Sequence, residues 1–74
     1  MQIQRLLRIE DSDPGLRIIV RWHDLPPFED TAEPLTEIYA DVPQLVAKLL
    51  TRKSTPRALA SRARRALGLP EGGM

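Results

Sequence analysis

Seventy-four residues without a cysteine predict one small domain with a modest core, and exclude a disulfide-stapled scaffold, a thiolate nucleophile and a sulfur-ligated zinc site. Hydrophobic residues make up 42% and charged residues 28%, an ordinary globular balance, and no apolar run approaches the ~18 residues that span a membrane. The formal net charge of +1 conceals a split, −4 over residues 1–50 and +5 over 51–74, so an acidic body carries a basic tail suited to an acidic partner.

In chain order, Ile3 to Ile9 predicts an imperfect strand. A period of two puts Ile3, Leu7 and Ile9 on one face together with Arg5, and Leu6 on the other. Asp11-Ser12-Asp13-Pro14-Gly15 supplies turn chemistry, because Pro14 presets φ and Gly15 accepts a positive φ, and a hairpin is expected. Leu16 to His23 is the clearest strand, with Leu16, Ile18, Val20 and Trp22 on one face and Arg17, Ile19, Arg21 and His23 on the other. Pro26-Pro27 removes two ladder donors, so Asp24 to Asp30 reads as a loop, and a short extended piece from Thr31 is expected to rejoin the sheet and end near Pro34.

Two helical patterns follow. Asp41 is a candidate N-cap, Pro43 suits a first turn, Gln44 is placed to bond back to the cap, and Val42, Leu45, Val46, Leu49 and Leu50 form one apolar face. Ser54-Thr55-Pro56 repeats the cap-and-proline signature and opens a second pattern that runs to Leu67, where Gly68 and Pro70 stop it. Its apolar arc holds Leu59, Ala60, Ala63, Ala66 and Leu67, and so alanine-rich a stripe predicts a mobile helix unless it docks. Glu71 to Met74 is expected to fray.

No constellation points to catalysis. His23 has no second histidine, cysteine or spaced carboxylate pair beside it, the serines fall at turn, cap and helix-surface positions, and the four glycines form no phosphate loop. No catalytic residue, metal or cofactor is expected. Trp22 admits two uses, packing at the core rim with its indole N–H bonded, or contact with a ligand. Asp24, Glu29, Asp30 and Glu33 form either a solvated loop face or an attractor for a basic peptide.

The run Arg17-Ile18-Ile19-Val20-Arg21-Trp22, the acidic loop Glu29-Asp30-Thr31-Ala32-Glu33-Pro34 and the segment Asp41 to Leu50 together resemble a chromodomain over about residues 2–51. The phrase Asp41-Val42-Pro43-Gln44-Leu45-Val46 is closer to the chromo shadow subgroup, and is similar to the C-terminal module of gypsy-type retrotransposon integrases. The resemblance implies an α+β fold. A small curved three-stranded antiparallel sheet, SH3-like and barrel-like, would carry a C-terminal helix across it in a module of residues 1–52, followed by a basic helical extension over 53–74.

It also implies a non-catalytic nuclear module that recruits a histone tail or another chromatin protein. Family members that read methyl-lysine surround the ammonium with aromatic faces. Here only Trp22 and Glu29 match that cage, while its other aromatic positions fall at Met1 and Leu25, and the usual tryptophan of the family's Trp-Glu-Pro phrase is Ala32. The peptide-binding candidates are therefore Ile3, Trp22, Leu25, Phe28 and Glu29, with Tyr39 as a further ring. The shadow-like helix adds a homodimer as an option, through Val46, Ala47 and Leu50. A purely structural dimerisation domain is the reading from another class. In the tail, Arg52, Lys53, Arg57, Arg62, Arg64 and Arg65 are candidates for nonspecific DNA or RNA contact; the same residues also suit an import signal or a soluble helix face. The tail has too little apolar area for a membrane surface.

Overall fold

Strand β2 (Leu16–Trp22) forms the centre of the fold, and its alternation decides which face of the sheet is covered. In the computed structural model, which describes residues 2–12 and 15–70, β1 (Ile3–Asp11) and β3 (Thr31–Pro34) pair antiparallel with its two sides. The α+β architecture expected from the sequence is present, and the sheet is open and uncurled, with β1 and β3 as its edges. Asp13 and Pro14 of the expected turn, and the expected frayed end at Glu71 to Met74, lie outside the described residues. Ser12 and Gly15 flank that turn and are joined twice, by Ser12 N–H and by Ser12 Oγ to the Gly15 carbonyl at 3.2 and 2.7 Å.

Strand β1 departs from a simple alternation. Its register against β2 shifts twice, between Ile3 and Arg5 and again between Leu6 and Arg8, so Ile3, Leu6 and Ile9 oppose Trp22, Val20 and Ile18. Each bulge adds one residue to β1 and turns the next side chain to the other face. Leu6 is thus buried and Leu7 half-buried, the reverse of what period two predicts, and Arg5 leaves the apolar face for the opposite one. Arg52 Nη1 donates to the Leu6 and Leu7 carbonyls at 3.1 and 3.2 Å, beside the second bulge.

Three helices cover the Ile18–Val20 face. The first, α1 (Leu35–Asp41), has no counterpart in the sequence reading. Leu35 and Ile38, three apart, are its buried pair. It stops at Val42, kept out of the helical region at φ −135° and ψ 67° by the proline that follows. Helix α2 (Pro43–Thr51) restarts at once with Pro43 in its first turn. Asp41 therefore ends α1 instead of capping α2, and Val42 is the N-cap, without a side-chain cap bond from Gln44 or any other residue.

Helix α3 (Arg57–Leu67) likewise starts without a side-chain cap. The Thr55 hydroxyl instead donates to the Leu49 carbonyl at 2.7 Å, satisfying the end of α2. At the far end, Gly68 adopts φ 73°, and the Gly68 and Leu69 amides bond back to the Arg65 and Arg64 carbonyls, which closes the helix as the sequence predicts. The alanine stripe docks. Ala60 and Ala63 are buried in the same cluster as Leu6, Ile18, Val20, Ile38, Val46, Leu49 and Leu50, whereas Ala66, placed in the apolar arc by periodicity, is exposed. Small side chains let the helix approach closely, and the contact with α1, α2 and β1 compensates for their small area.

Candidate functional site

One end of the sheet gathers the predicted peptide-binding residues. Ile3 and Trp22 are register partners, and the His23 amide extends the ladder by bonding to the Gln2 carbonyl at 2.8 Å. The chain then turns through Asp24, whose φ of 69° lies in the left-handed region that aspartate tolerates better than most residues, and the Leu25 amide returns to the Trp22 carbonyl. Pro27–Glu29 form one 3₁₀ turn packed near β2. It carries Phe28, which is 85% exposed, and the exposed Glu29.

Hydrogen bonds fix this end from the β3 side. The Trp22 indole N–H donates to Thr31 Oγ1 at 2.7 Å, and the Thr31 hydroxyl donates in turn to Glu33 Oε2 at 2.7 Å. Trp22 is half-buried and packs against the core, so it combines the rim role with a partly open ring. On the other face, Arg21 grips both oxygens of Asp30 at 2.9 and 2.8 Å. These hydrogen bonds hold the Asp30 carboxyl below the usual aspartate range and raise the Arg21 guanidinium further. The clamp ties the loop to β2 and takes Asp30 out of the acidic cluster, leaving Asp24 and Glu29 exposed.

The rings do not form a cage of the family's kind. Tyr39 is half-buried against the core from α1, the Met1 position lies outside the described residues, and Leu25 and Ala32 supply no ring. What exists is a surface: a half-buried indole, an exposed phenyl ring, two apolar neighbours and exposed carboxylates. His23 Nδ1 lies 3.3 Å from the exposed Asp24 carboxylate, and no group of three metal-binding side chains occurs among the described residues.

The other two predicted sets are redistributed by packing. Of the dimer candidates, Val46 is fully buried and Leu50 is 5% exposed, both within the protomer's own core, so Ala47 alone reaches the surface. Helix α3 is the reason, because Ala60 packs in the cluster that encloses Leu50.

Of the tail cations, Arg52 is held by the Leu6 and Leu7 carbonyls and Arg64 Nη2 by the Leu50 carbonyl at 3.4 Å. Arg62 grips both oxygens of Asp11 at 2.8 and 3.1 Å, which lowers the Asp11 carboxyl and neutralises Arg62 as a contact for phosphate. Lys53, Arg57 and Arg65 are exposed and make no side-chain ion pair among the described residues. Sequence reasoning missed a second concentration of charge, on the uncovered face of the sheet. Arg5, Arg8 and Arg17 join Arg21 there around Ile19, brought together by the β1 bulges.

No helix among the described residues is long and apolar enough to cross a membrane. The chain has no match among protein-family models, curated proteins or solved structures.

Proposed function

We propose that the chain is a non-catalytic interaction module of chromodomain type that recruits a chromatin protein by binding a lysine- and arginine-rich peptide at the Ile3–Trp22 end of its sheet. The observation that carries this reading is Phe28, a large apolar side chain 85% exposed on a loop whose remaining exposed side chains include Asp24 and Glu29. An apolar ring flanked by exposed carboxylates suits the methylene stem and the cationic head of a lysine or arginine together. The Trp22–Thr31–Glu33 chain and the Arg21–Asp30 clamp pre-organise the surface, which lowers the ordering cost of binding. With Val46 and Leu50 in the core, a homodimer is not part of the proposal.

Titration with a histone-tail peptide, followed by the emission of Trp22, the single tryptophan, tests it. Phe28→Ala is expected to weaken binding about tenfold with an unchanged melting temperature, because the ring makes no core contact. Equal affinity of Phe28→Ala and the parent refutes the site. A trimethylated peptide binding tenfold or more above its unmethylated form identifies the surface as a reduced methyl-lysine reader; equal affinities identify a charge-and-stem binder.

A further inference from the structure

We propose that the open groove between the C-terminal end of α2 and the first turns of α3 binds the sugar-phosphate backbone of double-stranded DNA, independently of the sheet-end surface. The groove encloses about 820 Å³ and presents Arg52, Lys53, Arg57 and Arg64 around a floor that includes Leu50 and Ala60, with no carboxylate in its lining among the described residues. Its cations are of two complementary kinds. Arg52 and Arg64 are anchored by neutral backbone carbonyls, so their positions are set while their charge stays uncompensated. Lys53 and Arg57 are exposed and without an ion-pair partner among the described residues, so they are able to adjust to phosphates. The uncapped first turn of α3 adds the same sign of partial charge.

Charge alone does not distinguish this groove, since the uncovered sheet face holds four arginines as well. There, however, Arg8 is paired with Glu10 at 3.1 Å and Arg21 with Asp30 at 2.8 Å, which cancels half of the charge. Arg62 is likewise cancelled by Asp11, and neither it nor Arg65 lines the groove. Four uncancelled cations in an open channel match successive phosphates of a polymer better than one small anion. No aromatic residue lines the groove among the described residues, so it offers no ring on which the bases of a single strand stack, and its cations suit the backbone of a duplex, without sequence preference.

The test is fluorescence anisotropy of a labelled 20-base-pair duplex against the full chain between 50 and 200 mM salt. Up to four phosphate contacts give a log–log slope of about −3.6, a loss of affinity on the order of 100-fold over that range. Lys53→Gln with Arg57→Gln is expected to halve the slope and to cost roughly 60-fold at 0.1 M salt. Arg5→Gln with Arg65→Gln removes the same net charge outside the groove and is expected to cost less than threefold. Equal losses in the two double variants overturn the proposal, as does undetectable duplex binding at 50 mM salt or tighter binding to phosphatidylserine vesicles than to the duplex. The sheet-end site is read by the peptide titration alone, so failure of one leaves the other standing.

Discussion

Replacing Leu6 and Leu7 one at a time by alanine tests whether the bulged register of β1 turns Leu6 into the core. Leu6 is 2% exposed and opposes Val20, which is fully buried. Leu6→Ala removes three carbons from the core, about 2 kcal/mol in transfer alone, and the residual cavity brings the cost to about 3 kcal/mol. Leu7, half-buried at the second bulge, loses about 1 kcal/mol or less on the same substitution. Domains of this length have roughly 4–11 kcal/mol in total, so the first change is a large fraction of stability and the second a small one. Urea unfolding followed through Trp22 emission resolves them. With a slope of about 1 kcal/mol per M, the midpoint falls by about 3 M for Leu6→Ala and by about 1 M or less for Leu7→Ala. Equal shifts, or a larger one for Leu7→Ala, refute the bulged register and restore the simple alternation.

Docking of α3 predicts that Ala63→Leu, which forces an isobutyl group into a fully buried position, costs about 1–3 kcal/mol and speeds amide exchange over residues 57–67. Unchanged stability and exchange rule the docking out. The depressed carboxyls of Asp11 and Asp30 contribute stability that is present above the ordinary aspartate pKa and lost as pH falls through their lower folded values. The melting temperature is therefore expected to hold from pH 7 to about 5 and to drop below about 4, with a shallower acid limb in Asp30→Asn. Parallel limbs in the variant and the parent contradict the clamp. Both pairs are solvent-accessible, so added salt is expected to reduce their share.

What the sequence by itself determined was the elements whose local signal is strong. The alternation in Leu16 to Trp22, the proline pair in the loop, the apolar face from Val42 to Leu50 and the glycine stop after Leu67 each read correctly, because backbone period and turn chemistry act over a few residues. Ile3, Trp22, Leu25, Phe28 and Glu29 were brought forward by the family resemblance, and the pairing of Ile3 with Trp22 across the bulged hairpin is what places them at one end of the sheet. Helix α1 had a local signal too, the Leu35 and Ile38 spacing before a pre-proline valine, but seven residues offered too few repeats to stand out.

Tertiary structure decided the rest. Whether Leu6 or Leu7 enters the core depends on bulges in the pairing with β2, and a single-residue slip inverts every facing without changing the sequence. Ala60 and Ala63 bury little area themselves, so only the shape of the surface beneath them determines whether α3 docks, and that docking took Leu50 from any dimer seam. The six tail cations look alike in sequence. Their separation into an anchored pair, one cancelled by Asp11 and three without ion-pair partners follows from groups as many as 51 residues away, and an arginine's available charge is set by what it touches.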